Sequence, residues 1–102
     1  MKKCEIKVIK MYFDEEIVKE YGADGIGKCP LLKDGETFYS EGGMPEGFCN
    51  DAWMAIQHFV FALASGCGEF FEGNWVKKPG RAICSCNDGL RPVIFKIERM
   101  DE

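Results

Sequence analysis

Residues 46–66 read EGFCNDAWMAIQHFVFALASG and contain the one long apolar segment of the chain. Gly47 lets the chain turn, Asn50 or Asp51 can cap a first turn and Gly66 supplies a stop, so a helix is expected over about Asp51–Ser65. Trp53, Ile56, Val60 and Leu63 make one apolar stripe, and Ala52, Ala55, Phe59 and Ala62 make a second beside it. With most of its circumference apolar, this helix is expected in the core and covered on more than one side. Cys49 stands immediately before it.

The 102 residues, 46% of them hydrophobic, fit a single domain over 1–102 that can bury a core without crosslinks. A net charge of −4 and scattered basic residues, adjacent only at Lys2-Lys3 and Lys77-Lys78, argue against a nucleic-acid partner. The N-terminus alternates apolar with charged residues instead of building an apolar signal core, and Trp53–Ala64, interrupted by Gln57 and His58, is too short to span a bilayer. A soluble cytoplasmic protein without a membrane partner is therefore expected. In that compartment the six cysteines stay mostly reduced.

Lys3–Phe13 alternates with the period of a half-buried strand: Cys4, Ile6 and Val8 share one face, and Glu5, Lys7 and Ile9 the other. Asp14-Glu15-Glu16 opens a short helix to about Tyr21, ended by Gly22. Gly22–Lys33 and Glu41–Phe48 are glycine-rich loops on either side of a short strand, Glu36–Ser40, that follows the Asp34-Gly35 turn. Gly66–Gly80 is irregular, with Phe70, Phe71 and Trp75 expected to fold back as lids on the core. Arg81–Cys86 and Val93–Arg99 form a β-hairpin.

The cysteines are the residues with chemistry to offer. Cys84 and Cys86, two apart in a strand, share a face. Cys29 precedes Pro30 in a loop, and Cys49 lies where a helix N-terminus favours a thiolate. These four sit at element ends and could ligate zinc or an iron–sulfur cluster, since soft thiolates suit both. Thiol chemistry is a second reading, with Cys49 as nucleophile or Cys84 and Cys86 as an exchange pair. In the third, every cysteine packs as a small hydrophobe. His58, nine residues beyond Cys49 or about 13 Å along a helix, cannot share an ion with it and is expected to be a buried, hydrogen-bonded flank residue. No carboxylate pair has the spacing of an acid and base, and residues 22–27 match neither phosphate-binding glycine pattern, so no catalytic residue is assigned.

Several short motifs occur in a distinctive order: Cys29-Pro30, Asp34-Gly35-Glu36-Thr37-Phe38, Pro45-Glu46-Gly47-Phe48-Cys49, Cys86-Asn87-Asp88-Gly89 and Pro92-Val93-Ile94-Phe95. Over most of its length the chain thereby resembles a family of small uncharacterised prokaryotic proteins with Cys-Pro, Pro-x-Gly-x-Cys and C-terminal Cys-x-Asp motifs. The resemblance implies that the cysteines matching Cys29, Cys49 and Cys86 recur, and it implies no activity. This chain departs from it in having Asn87 where the family has proline, and in its aromatic segment after the helix.

The expected fold is α+β: a small, mainly antiparallel sheet packed on one long central helix, with one short additional helix. The leading functional expectation is a cytoplasmic protein that binds a metal or acts in redox chemistry through Cys29, Cys49, Cys84 and Cys86. The alternative is a protein-interaction domain with inert cysteines that meets its partner through Phe70–Trp75.

Overall fold

The computed structural model describes residues 1–101, and its elements run β1 (Cys4–Met11), α1 (Glu15–Tyr21), β2 (Thr37–Ser40), α2 (Asn50–Ala64), β3 (Arg81–Ser85) and β4 (Val93–Arg99). A single 3₁₀ turn at Phe71–Gly73 interrupts the segment between α2 and β3. Among the described residues no helix is long and apolar enough to cross a membrane.

Alternation decides the sheet. Cys4, Ile6 and Val8 of β1, Ala82 and Cys84 of β3 and Val93, Phe95 and Ile97 of β4 are buried on one face. All pairings are antiparallel, in the order β2-β1-β4-β3, so the two ends of the chain meet as neighbouring central strands. The register slips between Val8 and Lys10, leaving Ile9 as an exposed bulge and returning Met11 to the core side opposite Val93. On the other face Lys96 reaches Glu5 at 3.1 Å and Glu98 at 3.3 Å, while Arg81 Nε donates to Glu98 at 2.8 Å. Cross-strand charge thus covers a face that carries no helix.

The 15-residue α2 lies on β1, β3 and β4 with Ala52, Ile56, Val60, Leu63 and Ala64 buried. Its far side is open, with Met54 61% and Phe61 59% exposed, because one sheet layer covers one side of a helix and there is no second layer. Against the expectation of a helix covered on more than one side, Met54 and Phe61 are left open, and the expectation of a buried His58 is corrected. That residue is exposed, its ring resting 4.4 Å from the ring of Phe59.

Helix ends follow the capping rules with one departure. Asp14 caps α1, its Oδ1 accepting from Ile17 N–H at 3.0 Å, and Gly22 closes that helix. At α2 neither Asn50 nor Asp51 is the cap. Cys49 occupies that position and makes no side-chain capping bond. At the other end Arg99 donates from Nη1 to the carbonyls of Leu63, at 3.4 Å, and Cys67, at 2.9 Å, placing a cation where the helix dipole is negative. In the following loop Phe70 packs against the core and Trp75, 37% exposed, folds back onto Phe59 at 5.7 Å and Phe70 at 6.0 Å, whereas Phe71 is 67% exposed and is not a lid. Phe71 and Glu72 have φ of 52° and 57°, left-handed values that are uncommon outside glycine.

Phe48 joins the layers. Its ring lies 4.9 Å from Phe38 on β2, 5.5 Å from Phe95 on β4 and 6.4 Å from Trp53 on α2. Phe48→Ala is expected to lower unfolding free energy by about 3–5 kcal/mol in urea, whereas a change at exposed Met54 should stay within about 0.5 kcal/mol. Arg81, hydrogen-bonded to Glu98, holds that carboxyl below its ordinary range, with Lys96 adding to the effect against a smaller cost of burial. A depressed carboxyl contributes stability above its unfolded pKa and loses it as pH falls through the folded value. Stability measured down through the acid range should therefore fall less steeply in Glu98→Gln than in the unaltered chain.

Candidate functional site: three cysteines on one cavity

Three segments remote in sequence each bring a thiol to one cavity. Gly47, at φ +78°, turns the chain so that Phe48 enters the core and Cys49 faces the opening at the start of α2. Cys86 follows β3 and stays paired to β4: its N–H donates to Val93 O at 3.0 Å, and its Sγ accepts from Val93 N–H at 3.3 Å. Cys29 arrives on the loop after α1, where buried Leu32 anchors the chain three residues on. The cavity has a volume of about 540 Å³ and is lined by Cys29, Cys49 and Cys86 with Leu31, Leu32, Ala52, Met54 and Val93. That volume lies within the range of small-ligand sites.

Charge enters from Asp51, Asp88 and Arg91. Asp88 folds the hairpin loop around its carboxylate: Oδ1 accepts from Leu90 N–H at 3.0 Å and Arg91 N–H at 3.4 Å, and Oδ2 from Arg91 Nε at 2.9 Å. The Arg91 guanidinium holds this carboxyl below its usual value, helped by the two backbone donors against a burial cost. Arg91 also donates from Nη1 to Gly27 O at 3.4 Å, tying the hairpin to the loop that carries Cys29. The guanidinium is thus fixed at the cavity wall from two directions. The sequence marks Asp88 only as the last residue of the Cys-x-Asp motif and gives Arg91 no role; the signal available was an Asp with a basic residue three positions on in a glycine-containing turn.

Of the four candidate ligands Cys29, Cys49, Cys84 and Cys86, the first, second and fourth line the cavity and Cys84 does not. Cys84 shares a face with Cys86 but lies one ladder step deeper, in the core, where burial pushes its thiol up to about 12. Cys4 is fully buried and its thiol is raised by burial, partly offset by Arg99. Cys67 lies beyond the far end of α2, its Sγ donating to Glu69 O at 3.1 Å. Among the described residues all six cysteines are free thiols, and no three His, Cys, Asp or Glu side chains are placed to hold one metal ion.

Compared with known proteins, the chain matches no family model, no curated protein and no solved structure. The geometry of the cavity carries the functional reading.

Reactivity should divide the cysteines by position. With iodoacetamide at mildly alkaline pH, Cys29, Cys49, Cys67 and Cys86, all half-exposed, are expected to be modified in the native protein. Cys4 and Cys84 should be modified only after unfolding, because both are buried and their thiols are raised. Peptide mass mapping reads this directly; modification of native Cys84 at the rate of Cys49 would contradict the placement.

Proposed function

We propose that this chain is a small cytoplasmic protein that binds a metal centre through the thiolates of Cys29, Cys49 and Cys86. The observation that carries the reading is the convergence of these three half-exposed thiols on one cavity. Free cysteines are commonly buried as small hydrophobes, and Cys4 and Cys84 fit that role. Cys29, Cys49 and Cys86 pack against the core's edge yet stay partly open to one cavity, where together they offer soft ligands. They are also the three that the family resemblance marks as recurring. Cys84, packed in the core, is left out of the ligand set.

The surroundings offer partners for a bound anionic centre. Cys49 stands at the uncapped N-terminus of α2, Cys86 Sγ already accepts a backbone hydrogen bond, and Arg91 supplies a fixed positive charge. Redox chemistry would use the same thiols. A separate reading, a protein-interaction domain with inert cysteines, draws on the exposed Phe71 and Trp75 beside the strained turn.

Purification without oxygen followed by elemental analysis tests the proposal. Bound metal should be near stoichiometric in the unaltered chain and in Cys84→Ala, and should be lost in a Cys49→Ser, Cys86→Ser double variant that keeps its helix content. Equal metal in all three proteins, or none in any after exposure to zinc or iron, would overturn it and favour the interaction surface.

A further inference from the structure

Two of the three thiols are held by regular elements, and Cys29 comes on the loop after α1. Cys49 is fixed at the head of α2 by its buried neighbour Phe48, and Cys86 is fixed to β4 through two bonds with Val93. Around one tetrahedral zinc, with Zn–S of about 2.3 Å, ligand sulfurs stand about 3.8 Å apart. Among the described residues no three ligand-type side chains are placed to hold such an ion, yet three of them surround a cavity of about 540 Å³. A cuboidal iron–sulfur cluster spreads its irons over separate corners, so its cysteine sulfurs lie farther apart than those around a single ion, and it needs room of its own.

Resting on the thiolate-centre reading above, we propose that the occupant is a [4Fe–4S] cluster held by Cys29, Cys49 and Cys86, with the fourth iron free of any protein thiolate. No other cysteine reaches the cavity. Cys84 packs in the core and Cys4 is buried in the central strand β1. Cys67 follows the opposite end of the 15-residue α2, about 22 Å from Cys49 at about 1.5 Å per residue. Asp88 is committed to Arg91 and the loop amides, which leaves the exposed Asp51 or a small exogenous ligand for the fourth iron.

Charge and hydrogen bonding suit this occupant. A cluster with three thiolates is anionic, and it would sit among the Arg91 guanidinium, the uncapped first-turn N–H groups of α2 and the Val93 N–H that already donates to Cys86 Sγ. The apolar share of the lining, Leu31, Leu32, Ala52 and Val93, limits water around the sulfurs.

The test is anaerobic reconstitution of the full chain with sulfide and equal amounts of ferrous and ferric iron, which together supply the two ferrous and two ferric irons of the resting cluster, beside parallel titrations with zinc or cobalt alone. About four irons and four sulfides per chain are expected, with broad sulfur-to-iron absorption. Cys29→Ser, Cys49→Ser and Cys86→Ser should each lose most of it, and Cys67→Ser and Cys84→Ala should keep it, with circular dichroism confirming that every variant is folded. Mild ferricyanide oxidation should remove the iron that lacks a thiolate and leave a three-iron cluster, recognised by electron paramagnetic resonance. One zinc or cobalt per chain with thiolate charge-transfer bands and no uptake of iron and sulfide would overturn the cluster while leaving the metal-centre reading intact. Failure to take up either would overturn both, and a cluster that resists loss of iron would overturn the open position.

Discussion

The contact of the Phe48 ring with Phe38, Trp53 and Phe95 is the constraint on which the arrangement depends. It ties the edge strand β2, the helix α2 and the central strand β4 through one buried side chain. Aromatic contacts of this edge and tilted kind add to a large burial of apolar area. Because Cys49 is the next residue, the ring that joins the layers also fixes where a thiol meets the head of the helix. Stability and site geometry share an anchor.

The sheet order does the rest of the positioning. Pairing β1 with β4 brings the ends of the chain together, and the Ile9 bulge keeps Met11 facing the core opposite Val93. Val93 then holds Cys86 from both its N–H and its carbonyl. The Asp88–Arg91 pair closes the hairpin loop, and through Gly27 it reaches the segment that delivers Cys29. A central strand, a helix start and a loop therefore meet at one cavity.

Local signals in the sequence were enough for the elements. The alternation at Cys4, Ile6 and Val8, the Asp14 and Gly22 helix ends, the apolar stripe of α2, the Asp34-Gly35 turn and the alternation of the C-terminal hairpin all describe neighbours a few residues apart, and the four strands and two helices follow from them. What was not legible depends on partners distant in the chain. The exposure of His58 follows from the absence of a second layer over α2, and periodicity alone does not count layers. The sequence places Cys84 and Cys86 on one face, but only the depth of the β3–β4 pairing sends the first into the core and the second to the cavity. Arg91 gained its place from Gly27, 64 residues away, which no spacing rule anticipates.

The central claim is that the thiols of Cys29, Cys49 and Cys86 act on one ligand as a set. Cysteine footprinting by mass spectrometry, on protein loaded with iron and sulfide and on the same protein after chelation, measures this most directly. The account predicts that these three become resistant to alkylation together on loading while half-exposed Cys67 reacts equally in both states. Protection of one cysteine without the other two, or loss of reactivity at Cys67 alone, would contradict it.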